Sequence, residues 1–207
     1  MRTRIDYLAD KYSFTELNES PRLRRQWQDV LEECRQTEAG PEERLRIALL
    51  NVDYVTSFEL PFRLLLTRTP QLIAALREEW GISQKNVVFN DKRFGCVYSL
   101  KASLSGVPDT YRYHLSHRIR RVIGNENTSL PYQQVAREVK APRERLKYAL
   151  EAGLLVTALD GLFWFGCQRI AADVLRLRQS RMPIVTTNVE VHDNLTGTTR
   201  KVPAYHL

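Results

Sequence analysis

The chain has 207 residues, enough for one ordinary domain or two small ones, and its 43% hydrophobic and 27% charged residues are the balance of a chain that buries a core. Its longest apolar runs, such as Leu64-Leu65-Leu66 and Leu154-Leu155-Val156, are far too short to cross a bilayer. Met1-Arg2-Thr3-Arg4-Ile5-Asp6 is followed by no long apolar run, so no secretory signal is read, and a cytoplasmic protein with no membrane partner is expected. The formal charge of +7 is unevenly spread: Pro108 to Leu207 holds 15 Lys/Arg against 9 Asp/Glu, while the first 107 residues hold 16 against 15. Positive charge gathered in the second half points to an anionic partner, because Lys and Arg placed on phosphates release condensed counterions.

Residues 1 to about 85 read as mostly helical. Ser20 before Pro21 is an N-cap with proline at the first helical position, and Leu23, Trp27, Val30, Leu31 and Cys34 then recur at helical steps. Ala39-Gly40-Pro41 stops this helix and starts another, with Leu45, Ala48, Leu49, Val52 and Val55 as its apolar stripe. Thr69-Pro70 caps a third helix through Leu72, Ile73, Leu76 and Trp80, which Gly81 ends. These stripes are read as core packing. Cys34, Cys96 and Cys167 are isolated, with no CxxC pair, so each is expected to be a small buried hydrophobe rather than half of a disulfide or a zinc ligand.

The texture changes between Asn86 and Leu104, where Val87-Val88-Phe89 and Phe94 to Leu100 flank the polar turn Asn90-Asp91-Lys92-Arg93 and predict a hairpin. Tyr111, Leu115, Ile119 and Val122 predict a helix over 111–123, with Arg112, Arg118, Arg120 and Arg121 on its surface. Gly124 to Ser129 is a polar linker and sets the expected boundary, with a mostly helical domain at 1–123 and a second domain at 129–207. No repeat at a fixed long period is evident.

In the second domain, Tyr132 to Leu150 carries the marks of a helix-turn-helix. Ala136 is the small residue where helices cross, Val135, Val139, Leu146 and Ala149 fall on apolar offsets, Pro142 opens the second helix, and Lys140 stands where glycine is usual. Thr157 is the natural N-cap of a further helix, Gly161 is small where a crossing helix approaches, and Gly166 suits a tight turn. The helix after the turn buries Ile170, Val174 and Leu177. Recognition helices use early polar residues to reach base edges in the major groove, so Gln168 and Arg169 are the candidate base contacts. Arg176, Arg178 and Arg181, with Arg200 and Lys201 on the returning arm of a hairpin built from Ile184 to Val191 and Arg200 to Leu207, are the candidate phosphate contacts. A helix-turn-helix followed by such a hairpin is a winged helix. Tyr132 to Leu150 is either a separate helix-turn-helix, which makes a tandem reader, or supplies the first helix of the winged domain.

Leu155 to Asp160, Phe165 to Ala172, Leu177-Arg178, Pro183 to Thr186 and the terminal Tyr205-His206-Leu207 together resemble the small helix-turn-helix domain common at the C-termini of phage, prophage and plasmid proteins. Gly161 stands where that family has alanine, and Ser180-Arg181-Met182 where it has a glycine-containing turn. The resemblance implies a threonine-capped helix, a Phe-Gly turn, a recognition helix and a closing strand, with a role in binding DNA.

His114 and His117 lie three apart without a nearby third metal ligand, and Asp91-Lys92 is a lone acid-base pair in a turn; neither makes a catalytic site. Phe163-Trp164-Phe165 is read as core rather than as a platform for stacking bases. There is no phosphate-binding loop, nucleophile elbow or zinc-protease motif. The expected fold class is α+β, mainly α with small β: a helical N-terminal region with a hairpin near 86–104, then a C-terminal winged helix-turn-helix. The expected function is that of a phage or mobile-element transcriptional regulator that binds double-stranded DNA, possessing no enzyme activity or cofactor and able to form a homodimer. The alternative is a replication or recombination accessory protein that docks on DNA and holds a protein partner through its N-terminal domain.

Overall fold

The computed structural model describes residues 5–7, 12–14, 20–89, 92–107, 119–121, 130–167 and 169–207, with the backbone alone at 5–7, 12–14, 88–89, 92–94 and 119–121. Helices and strands are mixed, in an α+β arrangement. The chain divides into two compact units, one of Tyr7–Ile123 with Asn194–Thr198, the other of Met1–Asp6, Gly124–Asp193 and Thr199–Leu207. Two short strands come first, β1 (Ile5–Tyr7) and β2 (Tyr12–Phe14).

In the first unit, α1 (Pro21–Gln36) begins where the Ser20 side chain accepts from the Leu23 amide at 3.2 Å, and it buries Leu23, Trp27, Val30 and Cys34. Then come α2 (Pro41–Asn51), β3 (Val55–Thr56), the short α3 (Leu60–Arg63), α4 (Thr69–Trp80), β4 (Ser83–Phe89) and β5 (Lys92–Ser99). The hairpin thus starts three residues before the expected 86 and forms one sheet with β3 in the order β3–β5–β4. Val55, expected to extend the stripe of α2, is instead in β3 opposite Tyr98, because Val52 ends the helix in an extended conformation. Arg68 rather than Thr69 is the cap residue of α4, in the left-handed region, and Gly81 ends the helix as expected with φ +59°.

The helix expected over 111–123 is overturned where the structure describes it. Ile119–Arg121 is a strand, β6, paired antiparallel with β2 through Tyr12↔Arg121 and Phe14↔Ile119. A partner strand from the other end of the unit satisfies these backbone groups and overrides the helical spacing of Tyr111, Leu115, Ile119 and Val122. β1 and β2 likewise lie in a stretch expected to be mostly helical. The rest of the 111–123 prediction, with His114 and His117, lies outside the described residues, as do Asp91 and the linker Gly124 to Ser129.

The second unit runs α5 (Leu130–Glu138), α6 (Pro142–Glu151), β7 (Val156–Thr157), α7 (Ala158–Asp160, continuing as a π-helical turn Gly161–Phe165), α8 (Ile170–Gln179), β8 (Val185–Asp193) and β9 (Thr198–His206). Its sheet has the order β1–β8–β9–β7, with Val156↔Tyr205 and Thr157↔Ala204 closing the antiparallel β7–β9 pair. Val135, Leu146, Leu150, Val156, Trp164, Phe165, Val174 and Leu177 share one buried core. Phe163, Trp164 and Phe165 are all buried, as core residues rather than an exposed aromatic platform. The three cysteines are free and buried.

The two units repeat one another. From α2 to α4 each position answers to one 101 residues later: Pro41 to Pro142, Arg44 to Arg145, Thr56 to Thr157, Arg68 to Arg169 and Arg77 to Arg178. Element order agrees throughout, and in both sheets the short strand after the first of these helices pairs with the last strand of the hairpin, Val55↔Tyr98 in one and Val156↔Tyr205 in the other. The longer second hairpin breaks the fixed spacing beyond α4, which is why no constant period is evident in the sequence.

The turn before α8 is also matched. Gly166 has φ +76° and Leu65, its counterpart, φ +52°. The left-handed conformation costs a non-glycine residue roughly 1–2 kcal/mol. Gly166→Ala is therefore expected to lower unfolding stability by about 1 kcal/mol in urea denaturation, and an unchanged midpoint would contradict the strain assigned to this turn.

Candidate nucleic-acid interface

The candidate site is the outer face of α8 and its surroundings. Its position is fixed from the strand side by a capping box: the Asp160 carboxylate accepts from the Thr157 amide at 3.0 Å and the Thr157 hydroxyl at 2.6 Å, while Thr157 Oγ1 accepts from the Asp160 amide at 3.2 Å. Both residues are buried. At Gly161 a Cβ would sit 2.6 Å from Ile170 Cδ1, so the chain entering the turn passes close against the first residue of α8. After the π-helical turn, Gly166 donates to Leu162 O at 3.2 Å and Cys167 to Gly161 O at 2.8 Å. Arg145 donates through Nη1 to Phe165 O at 3.3 Å, and Arg143 Nε lies 3.4 Å from Asp173 Oδ1, tying α6 to α8.

Ile170, Val174 and Leu177 face the core, as the sequence stripe predicts. Ala171, Ala172, Leu175, Arg176 and Gln179 face outward, with Leu175 56% exposed and Arg169 exposed just before the helix. The outer face is thus small and apolar at its centre and cationic at its edges. Gln168 lies outside the described residues.

The other predicted contacts separate into two groups. Arg176, Arg181 and Lys201 are exposed; Lys201 is 75% exposed, with Glu190 Oε1 4.0 Å away, a pairing that solvent and salt weaken. Arg178, although exposed, and the half-buried Arg200 are engaged within their own unit. Arg178 Nε donates to Ile184 O at 3.0 Å and its Nη2 to Thr186 Oγ1 at 2.8 Å, fastening the end of α8 to β8. Arg200 Nε lies 2.8 Å from the buried Asp193 carboxylate, and the Arg200 side chain is only 17% exposed. These partners lie across the turn after α8 and across the β8–β9 hairpin, and are met only once those turns have folded. Arg143 and Arg145 of α6 were missed because their partners, Asp173 and Phe165, lie 30 and 20 residues further along the chain.

Burial pushes the Cys167 thiol up to about 12, so it is an inert core group rather than a nucleophile. Among the described residues no group of three or more His, Cys, Asp or Glu side chains is placed to hold a metal ion, and no helix is long and apolar enough to cross a membrane. Comparison with family models, curated proteins and solved structures finds no match to this chain.

Burial also pushes the Asp160 carboxyl up, to about 6 from an ordinary 3.8, against the hydrogen bonds from Thr157 that favour its ionised form. The folded chain therefore holds this proton more tightly than the unfolded chain. Its contribution to stability is fully present below about pH 4 and is lost as pH rises through about 6. Asp160→Asn keeps an acceptor for Thr157 and removes the titration. Measured by urea denaturation, wild-type stability relative to this variant is expected to fall by up to about 3 kcal/mol between pH 4 and pH 7; parallel profiles would contradict the assignment.

Proposed function

We propose that the second unit is a winged helix that binds double-stranded DNA, and that the chain is a phage or mobile-element transcriptional regulator rather than an enzyme, acting in the cytoplasm without a cofactor. The observation that carries this reading is the outer face of α8. Arg169 precedes it, Ala171, Ala172 and Leu175 leave its centre open to close approach, and Arg176, Arg181 and Lys201 stand around it. Small residues admit a helix deep into the major groove and can meet thymine methyl groups, while an arginine at the leading end reaches guanine O6 and N7. Cations at the edge meet phosphates and fix the register.

The architecture supports the same reading. Helix, short strand, helix, turn, helix and hairpin, with the short strand beside the last strand, is the winged-helix order, and one face of α8 is left exposed. The charge excess of the second half agrees with an anionic partner. The likeness of Leu155 to Asp160 and Phe165 to Ala172 to helix-turn-helix domains of phage and plasmid proteins supports the mobile-element setting. Within this reading Arg169 contacts bases, Arg176, Arg181 and Lys201 contact phosphates, and Arg178 and Arg200 hold the helix and the hairpin in shape.

Binding of the full-length protein to duplex DNA across a salt series tests this. Arg176→Ala, Arg181→Ala and Lys201→Ala are each expected to weaken binding uniformly across sequences and to reduce the log–log salt slope by about 1. Arg169→Ala is expected to cost about 1–3 kcal/mol and to relax preference at one position. Absence of binding at low salt overturns the proposal, and salt-dependent binding without sequence preference turns it toward the accessory role.

A further inference from the structure

We infer that the first unit is a second DNA-reading module, which contacts base edges through Arg68 and Gln71 at the leading end of α4, so that one chain reads a two-part site. The inference rests on the reading of α8 given above.

The equivalence between the units extends to the parts that set the reading helix. In both, an arginine of the second helix donates to the carbonyl that ends the short helix: Arg44 Nη1 to Leu64 O at 3.1 Å, Arg145 Nη1 to Phe165 O at 3.3 Å. In both, a threonine of the short strand and an acid three residues on form the same buried capping pair, Thr56 with Glu59 and Thr157 with Asp160. Thr69, Ile73 and Leu76 of α4 are buried in the register of Ile170, Val174 and Leu177 of α8. The outward residues therefore correspond one to one. Arg68 stands at the place of Arg169, Gln71 at Ala172, Ala74 at Leu175 and Ala75 at Arg176, and all four are exposed.

Arginine and glutamine are residue types that read guanine and adenine through two hydrogen bonds, and two alanines beyond them let the helix approach the groove. What α4 lacks relative to α8 is phosphate affinity. Ala75 replaces Arg176, and Glu78 and Glu79 occupy its far end. A module of this kind binds weakly alone and is effective when the other half of the same chain is already seated, because tethering raises its local concentration. The second module supplies the electrostatic attraction and the first adds sequence discrimination.

The test is selection of bound sequences from random duplex DNA by the full-length protein, beside the double variant Arg68→Ala/Gln71→Ala and the single variant Arg169→Ala. Both substituted side chains of the double variant are exposed, and an unchanged thermal melt verifies that it folds. The wild type is expected to enrich a two-part motif. The double variant is expected to keep the element that depends on Arg169, lose the other, and bind the two-part site roughly tenfold or more weaker, with an unchanged salt slope. A single element that depends on Arg169 and is indifferent to Arg68 and Gln71 overturns the inference and leaves the function of α8 standing. Loss of sequence enrichment in none of the proteins, or binding by none, overturns both.

Discussion

A guanidinium taken out of water needs acceptors for donors arranged in a rigid fork, and each unit of this protein meets that need with backbone carbonyls that must then stay where they are. Arg44 is fully buried and holds Ala39 O at 2.8 Å and Leu64 O at 3.1 Å. Arg145, half-buried, likewise holds Val139 O and Phe165 O. Each arginine ties the loop before its own helix to the end of the short helix that follows the first strand. The turn after that short helix is thereby fixed, and with it the direction in which α4 or α8 leaves. Loss of either arginine would leave carbonyls without donors inside the fold, a cost of roughly 1–3 kcal/mol for each group left unsatisfied.

On this frame the two units have diverged where side chains face water. Around α8 the exposed cations include Arg169, Arg176, Arg181 and Lys201, with Arg178 exposed but paired to β8; along α4 the corresponding surface is Arg68, Gln71, Arg77, two alanines and two glutamates. The frame residues, by contrast, are held: the buried acid under the capping threonine is Glu59 in one unit and Asp160 in the other. Burial raises the Glu59 carboxyl too, while Thr56 and then Trp27 favour its ionised form, and Arg63 Nε stands 3.0 Å from it with its guanidinium over the Trp27 ring. Proteins that read DNA commonly obtain two half-site contacts by dimerising. If both units read DNA as proposed, the chain has a covalent counterpart of that arrangement.

Much of the fold was legible because local signals and tertiary structure agree. Ser20-Pro21, Gly40-Pro41 and Gly81 punctuate helices in the sequence and in the structure, and the hairpins lie where β-branched runs flank polar turns. Legibility failed where a partner is met only in the folded chain. Ile119–Arg121 sits in a helical spacing yet pairs with Tyr12–Phe14, more than a hundred residues away. Arg178 and Arg200 looked like free cations and have partners within the fold. The repeat is faint in the sequence because identity survives at scattered positions such as Pro41/Pro142, Arg44/Arg145 and Thr56/Thr157, while most surface residues differ and unequal hairpins shift the spacing between Tyr98 and Tyr205. Of the candidate site, the helix and its core face were readable; which arginines remain exposed depends on the folded chain.

In the proposed reading, the charge distribution, the exposed face of α8 and the frame behind it together serve to meet a duplex. Photo-cross-linking from Ala172, in full-length protein bound to duplex DNA at low salt, tests that claim most directly. Ala172 is exposed at the centre of the outer face, so the account predicts adducts to bases in the major groove. Binding of the duplex with no adduct from this position would contradict it.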